Sequence, residues 1–239
     1  MVKPVSSDLL IAGGGLAGIV TALEALRAGK SVTIVDRDSP ERFGGLALWA
    51  FGGMMLIDTP LQRRMRIADS PELALNDWLR FGELDPNDEW PVQWARYYVE
   101  HSRTEVHDWL ADEGIKFMPA VNWVERGRFG DGNSVPRYHI TWGTSRELVR
   151  CMVNALHEAN TSGRLAIHHR HRITAVDHQA GEVCGAVAIN EETGEEVRFE
   201  AANVVLAMGG INGSHAECRA NWPRHRPQPA TMLNGAHPF

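Results

Sequence analysis

The sequence predicts an α/β fold that is Rossmann-like, with a central parallel sheet, flanking helices and a small antiparallel β insertion. Three observations predict it. An apolar run near the N-terminus ends in clustered glycines, an amphipathic helix and a second short strand follow at once, and a late apolar strand again runs into paired glycines.

The first element is the buried strand Leu9-Leu10-Ile11-Ala12, which feeds Gly13, Gly14 and Gly15, with Leu16, Ala17 and Gly18 opening the next helix. Gly13 turns the chain off the strand, Gly15 lacks a Cβ that would block a pyrophosphate, and Gly18 lets helix and sheet pack closely. The helix N-terminus adds unpaired N–H groups and a partial positive charge. Ile19, Leu23 and Leu26 recur at helical spacing, and Gly29 with Lys30 closes the helix. The strand Val32-Thr33-Ile34-Val35 then ends at Asp36, where a carboxylate accepts from both ribose hydroxyls and disfavours a 2′-phosphate. Glycine spacing alone is a weak signal. Strand, glycines, helix, strand and terminal acid in one register make a dinucleotide-binding βαβ unit.

Farther along, Arg37 begins a loop to Phe43 that leads into Gly44-Gly45-Leu46-Ala47-Leu48-Trp49-Ala50-Phe51-Gly52-Gly53. Two glycine pairs around small and aromatic residues predict backbone held tightly against something flat. A helix is expected from Asp69-Ser70-Pro71-Glu72, with Asp69 as cap and Glu72 completing a capping box, through Trp78 and Leu79 to about Gly82. An amphipathic helix is expected over Pro91 to Leu110, ending at Gly114. Gly130 to Gly143 is polar and glycine-rich without a period, as a loop would be. Thr144 or Ser145 caps a helix through Leu156. A strand follows at Leu165 to His169, a hairpin-like pair at Val183 to Ile189 and Val197 to Phe199, and a buried strand at Ala202 to Leu206 running into Ala207-Met208-Gly209-Gly210.

Bulk properties exclude several classes. A net charge of −6 over 239 residues disfavours nucleic-acid and anionic-membrane partners. The three cysteines, Cys151, Cys184 and Cys218, lie far apart without a CxxC, so neither zinc nor a disulfide framework is indicated and a reducing, cytoplasmic setting is expected. The N-terminal apolar segment contains four glycines and Glu24 and lacks a basic start and cleavage site, which argues against a signal peptide or membrane span. His169 and His171 share a face if their strand alternates, but no third ligand accompanies them, so a solvated edge is favoured over a metal site. Trp78, Trp94 and Trp109 read as core. Trp49 and Trp142, in glycine-rich loops, are candidates to line an apolar substrate pocket.

These segments resemble the FAD flavoproteins that include fumarate reductase flavoproteins and 3-ketosteroid Δ1-dehydrogenases, in particular the bacterial FAD-binding dehydrogenases. The resemblance is carried by Gly13 to Gly18, Gly44-Gly45 with Trp49 to Gly53, Asp69 to Leu75, Gly132-Asn133-Ser134-Val135-Pro136-Arg137-Tyr138-His139-Ile140, and Val204 to Gly210. It implies that Gly13 to Gly18 cradle the FAD pyrophosphate and Asp36 holds the adenosine ribose, with Arg37 beside it also a cofactor-binding residue. Gly44, Gly45, Leu46, Ala47, Gly52 and Gly53 would run beside pyrophosphate and flavin, Arg172 or Ile173 would offer backbone to adenine, and Ala207, Met208 and Gly209 would approach the cofactor again. His139 either points at substrate or flavin or ties its loop. No histidine stands in Leu46 to Trp49, so noncovalent FAD is expected.

The implied chemistry is hydride transfer between flavin N5 and a CH–CH or C=C bond beside a carbonyl or carboxylate. A small-molecule substrate is expected, a hydrophobic, steroid-like ketone fitting Trp49 and Phe51 slightly better than an unsaturated acid; no electron acceptor and no catalytic acid or base is singled out. The family places a capping domain after the Val204 to Gly210 strand, and this chain stops at Phe239, about where it would begin. The expectation is therefore an FAD-binding portion at 1–214, a linker or start of the cap at 215–239, and, as an alternative, a truncated, inert FAD-binding module that needs its missing C-terminal part or a partner.

Overall fold

The computed structural model describes residues 5–124 and 131–227. Two compact units make up the chain, Met1–Trp49 with Met152–Phe239, and Ala50–Cys151. The division falls inside the 1–214 span that the sequence reading treats as one unit.

The first unit starts with β1 (Val5–Ala12), α1 (Leu16–Arg27) and β2 (Val32–Val35). The strands are parallel, with Leu9 opposite Val32 and Ala12 opposite Val35. Helix α1 buries Ile19, Ala22, Leu23 and Leu26, the stripe expected from its spacing. Fully burying one such Leu or Ile contributes about 1.5–3 kcal/mol. The helix stops because Gly29 takes a left-handed φ of 81°. This lets Gly29 N–H donate to the Leu26 carbonyl and Lys30 N–H to the Ala25 carbonyl, each at 2.9 Å.

The second unit holds β3 (Gly53–Met55), α2 (Pro60–Arg64), α3 (Pro71–Phe81), α4 (Glu89–His101), α5 (Trp109–Asp112) and β4 (Tyr138–Ile140). Strands β3 and β4 pair antiparallel, with Met54 opposite His139. Ser70 caps α3, its hydroxyl accepting from Leu73 N–H at 3.2 Å. The expected cap Asp69 is instead committed to Arg137. The single helix expected over 91–110 is α4 and α5 joined by a π-helical stretch, Ser102–Asp108, because apolar periodicity does not report a change in turn width. Trp78 and Trp94 are exposed rather than core, since Ala95 and Val99 form the inward face of α4 and Ala74 that of α3. Strand β4 falls where a loop was expected; Gly130 lies outside the described residues.

Helix α6 (Thr144–Ala159) leads back to the first unit, which continues with β5 (Leu165–His168), β6 (His171–Gln179), β7 (Glu182–Asn190), β8 (Glu196–Leu206) and α7 (His215–Ala220). The sheet order is β5-β2-β1-β8-β7-β6. Strands β5, β2, β1 and β8 run parallel, while β7 and β6 add an antiparallel extension. What read as two segments, 197–199 and 202–206, is one strand: β8 pairs with β7 over residues 196–200 and with β1 over 199–206. Its last turns are not the buried run expected; Leu206 is exposed. Strand β6 was not anticipated, because an edge strand rich in His, Arg and Asp lacks the apolar alternation that marks a strand. Leu10, Val35, Ala186, Ala188, Phe199 and Ala201 form the core beneath the sheet.

Candidate functional site

At the C-terminal edge of the parallel strands the chain departs from β1 to one side into β2 and returns on the other as β8. In open α/β sheets ligands bind at this switch point. A cavity of about 600 Å³ opens here, wholly within the first unit, and Gly13, Gly14, Gly15, Leu16 and Ala17 form one wall. Asp36 and Arg37 from the end of β2, Gly44 to Ala47, His171 to Ile173, and Ala207 to Gly210 complete it.

The glycines are dictated by contact. Gly13 has φ 108°, and a Cβ there would lie 2.4 Å from the Ala207 carbonyl oxygen. A Cβ on Gly18 would sit 2.0 Å from the Gly13 carbonyl oxygen. Gly18 therefore underpins the loop from below and does not line the cavity, unlike the other glycine-loop candidates. Gly15 differs: a Cβ there meets nothing within 4 Å and would project into open space. Gly44 N–H donates to the Gly14 carbonyl at 2.8 Å, which lays the second glycine pair along the first.

Helix α1 begins at this loop with no side-chain cap. Its first i→i−4 bond runs from Ile19 N–H to the Gly15 carbonyl at 3.0 Å, so the N–H groups before it have no acceptor in the helix. Donors, positive helix end and a wall without Cβ make a cradle for a diphosphate, and Asp36 supplies a carboxylate on the β2 side.

The remaining candidates lie elsewhere. Trp49 is exposed in the first unit and Trp142 in the second. Gly52 and Gly53 belong to the second unit. A Cβ on Gly53 would lie 1.7 Å from the Tyr138 ring, so the flat group that this glycine packs on is a tyrosine of its own unit. His139 is fully buried. Its Nδ1 donates to the Arg137 carbonyl at 2.7 Å, which leaves Nε2 to accept from the Thr59 hydroxyl at 2.7 Å. Both ring nitrogens are thus taken up by bonds within the chain, the arrangement that the loop-tying reading of His139 expects.

Burial pushes the His139 imidazole down to about 4. Because the unfolded chain takes up a proton near pH 6.5 and the folded chain resists it, stability is complete above that pH and falls as pH drops toward 4. We expect chemical denaturation between pH 7 and pH 5 to show this slope in the native chain and a flatter one in His139→Gln; equal slopes would remove His139 as the cause.

His139 joins a polar core whose members are scattered along the sequence. Buried Arg137 donates to Asp69 and, at 2.7 Å, to Asp77. Gln62 Nε2 donates to Asp69 and to the Pro136 carbonyl, and its Oε1 accepts from Thr59 N–H. The sequence signal of this core was the Gly132 to Ile140 motif itself, whose Arg137 finds its carboxylate partners 60 and 68 residues away.

The model of a family described as FAD binding domain matches residues 8–236. The chain belongs to that family. FAD is thus the cofactor, and the diphosphate cradle fits it. A KsdD-like steroid dehydrogenase of Mycobacterium tuberculosis is 40% identical over 96% of this chain and 43% of its own length. The chain therefore spans less than half of that relative. Among solved structures, a 3-ketosteroid-Δ4-(5α)-dehydrogenase from Rhodococcus jostii superposes with a TM-score of 0.80 at 24% identity, over 98% of this chain and 52% of that one. A flavocytochrome c3 fumarate reductase in its open conformation gives 0.73 at 24% identity, over 92% and 37%. Both share the fold of this FAD-binding chain. Among the described residues, no helix is long and apolar enough to cross a membrane, and no group of three or more His, Cys, Asp or Glu is placed to hold a metal.

Proposed function

We propose that this chain forms the adenosine-side, FAD-binding portion of an oxidoreductase acting on a CH–CH or C=C bond beside a carbonyl or carboxylate, with a steroid-like ketone as substrate. The observation that carries the reading is the glycine cradle and Asp36 at the switch point between β1 and β8. The KsdD-like relative supports the substrate class. Bound FAD supplies hydride transfer at the flavin.

The chain's own residues bind and orient. The α1 N–H groups and the Gly13 to Ala17 backbone take the diphosphate, Asp36 the ribose hydroxyls, and Ile173 and Arg172 flank the adenine. Ala207 to Gly209 and Gly44 to Ala47 close the walls, and Trp49 lines the route to substrate. Residues 1–214 make up the cofactor-binding portion, and 215–239 a linker or the start of a capping domain.

A second reading, an FAD-binding module without turnover of its own, is favoured by one observation: the chain spans 43% of its steroid-dehydrogenase relative. Absorption spectra of the purified chain and dye-linked assays with steroid and dicarboxylate panels separate the two. Flavin with steroid turnover supports the first, flavin without turnover the second, and no flavin rejects both. The flavin is expected to be noncovalent, released into the supernatant on denaturing precipitation; yellow protein pellets would contradict this.

A further inference from the structure

Past Asp36, the cavity wall is formed by Arg37 and, from the start of β6, His171 and Arg172. Both arginines converge on a single carboxylate, Glu191, from the turn between β7 and β8. Arg37 Nε donates to its two oxygens at 3.1 and 3.0 Å, and Arg172 Nε donates to Oε1 at 3.0 Å. The turn that carries Glu191 is fixed. Glu191 N–H donates to the Arg170 carbonyl at 2.8 Å, and the Asn190 side chain accepts from Glu192 N–H and Thr193 N–H. The start of β6 is tied in turn to the segment after β2, through His171 N–H to the Asp36 carbonyl at 2.9 Å and Arg170 N–H to the Asp38 carbonyl at 3.0 Å.

A long arginine at a cavity wall samples many rotamers, and holding it lowers the entropy lost when a ligand arrives. A guanidinium held at its edge keeps its planar face available for stacking on an aromatic ring. Resting on the reading of this cavity as the FAD site, we propose that Glu191 is a positioning residue for the adenine end of the cofactor. It clamps Arg37 and Arg172 so that their guanidinium planes are preset against the purine. Glu191 is suited to this at ordinary pH, because Arg37 above all, and then Arg172, hold its carboxyl below the usual glutamate range.

The test compares FAD and ADP affinities, by fluorescence quenching and calorimetry, in the native chain, Glu191→Ala, Glu191→Gln and, as a neighbour control, Glu192→Ala. Glu192 pairs with Arg170, which lies off the cavity wall. Glu191→Ala is expected to weaken FAD and ADP alike by about tenfold, Glu191→Gln by less because one acceptor remains, and Glu192→Ala not at all. The melting temperature of the cofactor-free chain stays unchanged in all three. An ADP affinity within twofold of native in Glu191→Ala overturns the role of Glu191, as does a loss accompanied by a lowered cofactor-free melting temperature. A native chain that binds neither FAD nor ADP overturns the underlying reading instead.

Discussion

Replacing Arg137 by methionine is expected to destabilise the second unit by about 3–5 kcal/mol, the cost of stranding a buried carboxylate pair. Arg137 is 2% exposed, and the side chains of Asp69 and Asp77 are fully enclosed. Its Nε and Nη2 grip Asp69 while Nη1 reaches Asp77 at 2.7 Å and Asn133 at 2.9 Å. Burial pushes the Asp77 carboxyl up, but the Ser134 hydroxyl and amide and then Arg137 pull it further down, leaving it below the usual aspartate value. Its share of stability is therefore present above pH about 4 and is lost as pH falls through the lowered value. Removing Arg137 leaves Asp69 with only the neutral donors of Gln62 and Ser70, and Asp77 with Ser134 and the partly exposed Arg80. Adding Asp69→Asn and Asp77→Asn to Arg137→Met should recover much of the loss, because neither enclosed side chain then carries an uncompensated charge. Urea midpoints for the single and triple variants check this, and a single variant within 1 kcal/mol of native would show that the cluster is not what holds the Gly132 to Ile140 segment.

Gly15→Val is expected to abolish tight FAD binding and leave the fold intact. At φ −75° and ψ 178° the Gly15 backbone suits any L-residue, and a Cβ meets nothing within 4 Å. The valine would instead occupy the cradle, displacing the diphosphate from the α1 N–H groups. Each hydrogen bond to a charged group lost this way costs about 1.5–3 kcal/mol, roughly 10- to 150-fold in affinity. Gly18→Ala should behave oppositely in its cause: its Cβ collides with the Gly13 carbonyl at 2.0 Å, so the loop shifts and thermal stability falls together with flavin content. Melting curves of both variants without flavin, beside FAD titrations, separate blockage from collapse. A Gly15→Val chain that titrates FAD like native would remove this loop from the phosphate site.

Much of the first unit was legible because its signals are local. The strand, glycine loop, helix and acid from Leu9 to Asp36 each follow from short-range sterics or periodicity, and α1 ends at Gly29 for the reason that its sequence suggests. The antiparallel β7 and β8 were readable from alternation, whereas β6 and β4 were not: a polar edge strand and a three-residue strand carry no period. Asp69 was mistaken for a cap because a cap motif is local, while its true partner Arg137 lies 68 residues away. His139 was open between ligand contact and tie for the same reason, since Thr59 lies 80 residues from it.

The sequence by itself determined the glycine cradle, because glycine's missing Cβ and a free helix start act within a few residues of one another. The tertiary structure alone decided the pairings that hold the cradle's surroundings. Glu191 meets Arg37 across 154 residues, and β8 turns two apparent segments into one strand joining both parts of the sheet. Such pairings depend on strand register and chain path, and those are set by how the whole chain buries its apolar faces.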